Sequence, residues 1–206
     1  MSNYVVTIAR SFGSGGRTVG KLLAKKLDIN YYDSELIRLA SEESGINMEL
    51  FGKADEQVKT NLFKRYNRIY DFKLLPPDSA DFVSDDNLFN YQAKIIRNLA
   101  EKQNCIFIGR CSDYILKDHP RTVRVFTYAD EETCLRNVTE LYGILPAEAK
   151  SKIEAIDKGR ASYYKYYTGK VWDDASNYDL CINTSRITFE QAVEIIDDYL
   201  KTRGLK

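Results

Sequence analysis

Short apolar, β-branched runs separated by long segments of helical spacing are the feature that most limits how this chain can fold. The runs lie at residues 4–9, 29–32, 104–109, 122–127 and 178–182. Between them apolar residues recur at helical spacing, as at Val19, Leu22, Leu23 and Leu27. Strands so far apart cannot pair through hairpins, so they predict a five-stranded parallel sheet with helices on both faces, a three-layer α/β fold.

The first run leads into a glycine-rich turn, Gly13-Ser14-Gly15-Gly16, with Arg10 and Arg17 at the join. Such a turn points backbone N–H groups and the positive end of the helix dipole at its occupant, so phosphate fits best. Residues 11–18 keep the last glycine and the threonine of the pattern G-x-x-x-x-G-K-[ST], with serine for the first glycine and arginine for the lysine. A plain strand–helix connection and a dinucleotide turn are the alternatives.

The length predicts a single domain over residues 1–206, with two departures from the α/β rhythm. We expect its core to consist of residues 1–46, 96–145 and 170–206. Residues of about 47–95 predict a mostly helical insertion over one edge of the carboxyl end of the sheet, where open α/β sheets bind ligands. The other departure is a helical segment at about 146–169.

Composition argues against several classes of protein. Thirty basic and thirty acidic residues give a formal net charge of zero, which predicts no general attraction to nucleic acid or anionic membranes. Four cysteines without a CxxC pair favour reduced thiols, and no apolar run reaches the roughly 18 residues of a membrane span. With one histidine, His119, a multi-histidine metal site is not expected. We expect a cytoplasmic protein of undetermined oligomeric state.

Three stretches together resemble the cytidylate kinase-like branch of the nucleoside monophosphate kinases, in the P-loop NTPase superfamily. They are IARSFGSGGRTVGKLLAKKLDINYYD, FIGRCSDYIL and IDKGRASYYKYYTGKVWDDASNYDLCINTSRI. The resemblance covers nearly the whole chain apart from about 47–95. It implies a P-loop kinase fold with a lid at about 146–169, ATP and Mg²⁺ as cofactors, and small-molecule nucleotide substrates, nominally CMP or dCMP as phosphate acceptor.

We assign the donor phosphates to the glycine-rich turn, with contacts from Ser11, Gly13, Ser14, Gly15, Gly16, Arg17 and Thr18. The Arg17 guanidinium can neutralise β/γ-phosphate charge, and the Thr18 hydroxyl is a candidate Mg²⁺ ligand. The resemblance implies that Arg110 binds the acceptor phosphate and that Asp33 orients Mg²⁺-bound water or the acceptor. A strand-end surface salt bridge is the alternative for Arg110, and a helix N-cap for Asp33.

The segment at 146–169 supplies candidate lid cations. Lys158 and Arg160, with Lys165 farther along, can stabilise the transferring phosphoryl group when the site closes. On a helix, Asp157, Arg160 and Tyr164 share a face that Lys158 does not share. A solvated charged helix is the alternative.

Other features are less specific. The tyrosines at 163, 164, 166 and 167 favour packing within the domain over stacking on a base, and residues 183–187 resemble a donor-base loop. Arg65 and Arg68 are candidates to face the acceptor. Because the phosphate-loop lysine is missing and residues 47–95 replace the expected acceptor-base pocket, two alternatives stay open. One is a kinase of the same fold for a nucleoside or other small acceptor, and the other a catalytically weak nucleotide-binding regulatory domain.

Overall fold

The computed structural model describes residues 3–56 and 72–206 and contains one fully parallel sheet within them. Its strand order is β2-β3-β1-β4-β5. The strands are β1 (Val5–Arg10), β2 (Asn30–Tyr32), β3 (Cys105–Ile108), β4 (Thr122–Tyr128) and β5 (Leu180–Asn183). The predicted five-stranded parallel sheet is confirmed, and each strand overlaps a run identified in the sequence.

Helices cover both faces of the sheet. In the described ranges they are α1 (Gly16–Leu27), α2 (Glu35–Ser44), α3 (Met48–Ala54), α4 (Asp85–Lys102), α5 (Ser112–Ile115), α6 (Glu131–Tyr142), α7 (Pro146–Thr168) and α8 (Phe189–Thr202). A single 3₁₀ turn at Ala175–Asn177 precedes β5. Within residues 3–56 and 72–206, no helix combines the length and the apolar character that a membrane crossing requires.

The two faces of the sheet carry different cores. On one face α1 and α8 pack an aliphatic core that includes Ile8, Leu23 and Ile196. On the other face α2, α4 and α7 contribute to a larger core rich in aromatic side chains. Tyr163 and Tyr167 are buried there, which confirms that tyrosines of residues 163–167 pack within their own domain. Helix α7 on the second face also carries Asp157 and Arg160 of the candidate site.

Residues 47–95 contain α3 and the first half of α4. Residues 57–71, with Arg65 and Arg68, lie outside the described ranges. Helix α4 runs on past the boundary that the sequence analysis placed at 95, because Ile95, Ile96 and Ala100 continue its buried stripe. The part of residues 47–95 that lies in α4 therefore belongs to the helical layer that covers the sheet. The predicted lid segment is the single long helix α7.

Candidate active site

The glycine-rich turn follows β1, the central strand, and ends at the start of α1. Gly15 is the N-cap of α1, with φ +77° and no side-chain cap hydrogen bond. A Cβ at Gly15 would lie 2.2 Å from Phe189 Cε1, and one at Gly13 (φ +90°) would lie 2.7 Å from the Cys134 carbonyl oxygen. Both positions thus require glycine. Because Gly15 offers no capping side chain, the first-turn N–H groups of α1 are suited to an anion.

Hydrogen bonds from three directions fix the shape of this turn. The Ser14 hydroxyl donates to the Ser11 carbonyl at 2.9 Å. Asn137 Nδ2 donates to the Gly13 carbonyl at 2.7 Å, and Thr184 Oγ1 to the Ser14 carbonyl at 2.8 Å. Asn137 carried no recognisable signal in the sequence, and Thr184 lies in the loop at 183–187. With these carbonyl oxygens engaged, the turn is preorganised for a ligand of its N–H groups.

Asp33 connects the turn to the neighbouring strand. Arg17 Nε lies 2.7 Å from Asp33 Oδ2, and Arg110 Nη1 donates to Asp33 Oδ1 at 3.2 Å. The N-cap of α2 is Ser34, so Asp33 does not have the alternative capping role. Thr18 lies in the first turn of α1 and is half-buried. The structure therefore brings the predicted residues Arg17, Asp33 and Arg110 into one contiguous group.

Arg110 sits on a strained backbone directly after β3. Gly109, Arg110 and Cys111 have φ values of +67°, +54° and +55°, three successive left-handed residues. Each non-glycine residue there costs about 1–2 kcal/mol, and such strain clusters at functional sites. Arg110 is 2% exposed and donates to Asp55 Oδ2 at 2.7 Å, so the alternative of a surface salt bridge is wrong. Burial acts to lower the Arg110 pKa, but the carboxylates around it outweigh that effect and raise it.

Helix α7 brings Arg160, one of the three candidate lid cations, into this group. Arg160 is buried, lies 3.2 Å from both Glu56 Oε2 and Asp157 Oδ1, and donates to the Arg10 carbonyl at 3.1 Å. Asp157 in turn accepts from the Phe12 N–H at 2.8 Å, which attaches α7 to the turn. Lys158 is exposed and lines an open cleft of about 560 Å³. The solvated-helix alternative therefore describes Lys158 and not Arg160.

Arg10 and Glu56 are central to the site, although no role was predicted for either from the sequence. Arg10 is the last residue of β1 and 4% exposed, and its Nη1 and Nη2 donate to Glu56 Oε1 and Oε2 at 2.5 and 3.1 Å. A Cβ at Gly109 would lie 2.0 Å from Arg10 Nη1, so the guanidinium occupies space that only glycine leaves open. A basic residue that ends a fully buried strand was the available signal for Arg10. Nothing in the pattern around Glu56 pointed to it.

The ion pairs form one network, which we call the arginine–carboxylate cluster. Its members are Arg10, Arg17, Arg110 and Arg160 with Asp33, Asp55, Glu56 and Asp157. Among the residues that the structure describes, four cations thus face four carboxylates. Burial alone would raise the Glu56 pKa, but the guanidinium groups of Arg10 and Arg160 outweigh it and hold this pKa well below the usual value. Burial raises the pKa of Asp55 and Asp157 despite their arginine partners.

The described residues fit Mg²⁺ only as a partner of a bound phosphate. Within residues 3–56 and 72–206 no group of three or more His, Cys, Asp or Glu side chains is arranged to hold a metal ion. Mg²⁺ commonly keeps several waters and takes its remaining ligands from substrate phosphates and one or two protein oxygens. The Thr18 hydroxyl beside the open end of α1 is compatible with that mode.

Solved structures share this three-layer α/β fold with a parallel sheet. A shikimate kinase from Bacteroides thetaiotaomicron shares the fold with a TM-score of 0.55 at 16% identity, covering 96% of this chain and 98% of its own. A crystal structure of an uncharacterized protein from Eubacterium ventriosum is more similar, with a TM-score of 0.71 and 26% identity over 97% of this chain and 99% of that one.

Sequence comparison gives the family. Residues 5–186 match the model of the cytidylate kinase-like family, and the chain belongs to that family. A cytidylate kinase from Methanopyrus kandleri is 26% identical, covering 93% of this chain and 90% of its own. One from Archaeoglobus fulgidus is 25% identical over 98% of this chain and 97% of its own. The predicted family and the predicted enzyme class, a phosphotransferase, are confirmed.

Proposed function

We propose that this protein transfers the γ-phosphoryl group of ATP, with Mg²⁺, to a nucleoside monophosphate, nominally CMP or dCMP. The observation that carries the proposal is the position of Asp33, which contacts Arg17 beside the glycine-rich turn and Arg110 after β3. One carboxylate thereby links a donor-phosphate region to a buried arginine suited to a second phosphate. Phosphoryl transfer needs two such regions side by side, since catalysis is mostly positioning and charge stabilisation.

On the donor side, the N–H groups of the turn and the start of α1 would bind the ATP phosphates. The residues involved are Ser11, Gly13, Ser14, Gly15, Gly16, Arg17 and Thr18. Arg17 is 41% exposed and turned toward Asp33, so it can pivot toward a phosphate without leaving a buried cavity. Thr18 would ligate Mg²⁺, which when bound neutralises charge on the β- and γ-phosphate oxygens.

On the acceptor side, Arg110 would bind the phosphate of the nucleoside monophosphate through its planar fork. Arg160 would contact the transferring group, and Lys158 would reach it from the open cleft, whose lining includes both side chains. An acceptor phosphate oxygen attacks the γ-phosphorus in line, so no covalent enzyme intermediate is required. Asp33 would keep its contact with Arg110 when Arg17 turns toward the donor phosphate.

The choice of CMP or dCMP rests on the family and on relatives that are named cytidylate kinases. Identities of 25–26% support a nucleotide acceptor more strongly than a particular base. A cytoplasmic location, with small molecules rather than nucleic acid as partners, stays a prediction from the sequence.

A coupled assay of ADP formation tests the proposal over a panel of nucleoside monophosphates, nucleosides and shikimate with ATP and Mg²⁺. We expect turnover with at least one monophosphate, CMP or dCMP above all, and a matching diphosphate product. Turnover only with an acceptor that lacks a phosphate would favour the alternative kinase. Saturable ATP binding without product from any acceptor would favour the regulatory domain.

A further inference from the structure

Glu56 is coordinated as a phosphate group would be. Its two carboxylate oxygens accept from both terminal nitrogens of Arg10, from Arg160 Nε at 3.2 Å and from the Arg110 backbone N–H at 3.2 Å. An oxyanion surrounded by two guanidinium groups and a backbone amide is an arrangement typical of phosphate recognition. The occupant here is a side chain of the same molecule.

The cluster retains donor capacity that Glu56 does not use. Arg10 and Arg110 are 4% and 2% exposed, and no acceptor among residues 3–56 and 72–206 bonds to the Nε of either. Buried N–H groups without a partner are costly and rare in native structures. A carboxylate has two oxygens, whereas a phosphate monoester has three terminal ones. A phosphate in place of Glu56 would bring one further acceptor to these donors.

Charge and space both require exchange rather than addition. The four arginines of the cluster are already matched by four carboxylates, so a phosphate dianion added to it would leave an excess of two negative charges. The cavity bordered by Glu56, Arg110, Arg160 and Tyr163 holds only about 10 Å³. That is room for one water at most.

The position of Glu56 in the chain also allows its carboxylate to leave the arginines. Arg10 and Arg110 are fixed at the ends of two paired central strands, and Arg160 lies within the long helix α7. Glu56 instead follows the seven-residue helix α3, with φ +50°, a left-handed conformation that costs about 1–2 kcal/mol outside glycine. Its side chain is 16% exposed and borders the open cleft. The carboxylate can therefore turn into solvent while the arginines stay in place.

We propose that Arg10, Arg110 and Arg160 form a single binding site for a phosphate monoester, and that the Glu56 carboxylate occupies this site until the phosphate displaces it. The inference rests on the proposed function for its substrate class, and it adds Arg10 as a phosphate-binding residue and Glu56 as an internal competitor. The apparent Kd for phosphate is then higher than the intrinsic Kd, because only the molecules whose site is free of Glu56 can bind phosphate.

Calorimetric titration with inorganic phosphate and with CMP, without ATP, tests this on the full chain. We expect Glu56→Gln to lower the Kd of both at least about tenfold, because the competitor loses its charge. Glu49→Gln is the matched control, an exposed glutamate on α3 that pairs with Lys53, and it should leave the Kd within about twofold. Asp55→Asn removes a charge from Arg110 without vacating the site, so it should lower the Kd by clearly less than Glu56→Gln does.

Equal Kd values for phosphate in wild type and Glu56→Gln would overturn the proposal. Equal Kd values in Asp55→Asn and Glu56→Gln would also overturn it, since the effect would then be one of charge alone. If Glu56→Gln does not fold, Glu56→Asp keeps the charge and shortens the side chain by one methylene. Its Kd should be lower than that of wild type, and a Kd equal to that of wild type would contradict displacement. Because this titration does not use turnover, it can succeed when no acceptor is phosphorylated, and fail in an active kinase.

Discussion

The two sides of the candidate site present positive charge in opposite ways. The glycine-rich turn offers backbone N–H groups at the open start of α1, where Gly15 provides no capping side chain. The cluster offers the guanidinium groups of Arg10, Arg110 and Arg160, each already paired with a carboxylate. The turn is preorganised and open to an anion, whereas the cluster is preorganised and already occupied by carboxylates.

This difference indicates how each side would respond to a ligand. Backbone dipoles carry no net charge, so the turn can accept a polyphosphate without releasing anything but water. Buried guanidinium groups without counter-charges would be strongly destabilising, so the cluster keeps carboxylates until a phosphate replaces one. Donor binding is then a local event, and acceptor binding includes a rearrangement at Glu56.

The largest expected effect is on the filled side, from Arg110→Gln. It leaves Asp33 and Asp55 without their shared cation and removes the proposed acceptor-phosphate contact. We expect kcat/KM for the monophosphate to fall about 10³-fold, since truncating one member of a buried charge pair costs about 2–5 kcal/mol and 1.4 kcal/mol is tenfold. Steady-state kinetics at saturating ATP measure it.

The control for Arg110→Gln is Arg38→Gln, which removes an exposed arginine of α2 that pairs with Glu35 and Glu42. It should leave kcat/KM unchanged. ATP affinity should be nearly unaffected in both variants. If Arg110→Gln kept its turnover of the monophosphate, the cluster would not be the acceptor side of the site.

A smaller effect is expected on the open side, from Gly15→Ala. Its Cβ would overlap Phe189 and needs a left-handed backbone, so the turn must shift. We expect ATP affinity, measured by calorimetry with Mg²⁺, to fall at least about tenfold, a loss of about 1.4 kcal/mol.

Gly45→Ala is the matched control for Gly15→Ala, because Gly45 has φ +72° and open space around its Cβ position. Both variants should lose about 1 kcal/mol of stability from backbone strain, and Gly15→Ala should lose more because its Cβ overlaps Phe189. Only Gly15→Ala should lose ATP affinity. Equal ATP affinities in the two variants would show that the turn does not bind the donor.

The last expected effect is on stability rather than on ligand binding, and it is the pH dependence due to Glu56. Its folded pKa lies below the ordinary value of 4.5, so its stabilising contribution is complete above that pH and is lost as pH falls through the folded pKa. Wild type should exceed Glu56→Gln in free energy of unfolding by about 2 kcal/mol near neutral pH, a value typical of charged hydrogen bonds.

The comparison of wild type with Glu56→Gln removes the contributions common to both proteins, including that of Asp157, whose pKa is raised by burial. Denaturant unfolding from about pH 7 down to about pH 3.5 should show the gap narrowing below about pH 4.5. A gap that stays constant or widens on acidification would mean that Glu56 is not held ionised by the arginines.

Local pattern predicted most of the fold. Alternating apolar runs and helical spacing are properties of neighbouring residues, so all five strands and the long helix α7 follow from the sequence. The position of Arg110 after a buried strand is equally local, and so is the shared face of Asp157 and Arg160 on α7. The predicted end of the segment at 47–95 was less accurate, because α4 continues beyond residue 95 as long as its buried stripe faces the sheet.

The composition of the cluster could not be predicted from local pattern. Glu56 meets Arg10 across 46 positions of sequence and Arg160 across 104, and only the chain path determines such pairs. Arg10 stood at the join that raised the phosphate hypothesis, yet its direction depends on the missing Cβ of Gly109, a residue of a different strand end. A buried carboxylate partner of this kind leaves no periodic signal.

The most direct test of the account is a pair of NMR titrations on one ¹⁵N-labelled sample, with ATP–Mg²⁺ in the first and CMP in the second. We predict that ATP–Mg²⁺ shifts the amide signals of residues 11–18 and leaves that of Glu56 in place. CMP should shift the signals of Glu56 and Arg110 and leave Gly15 nearly unchanged. The account is contradicted if CMP binds without any change at Glu56, or if ATP–Mg²⁺ binds without any change in residues 11–18.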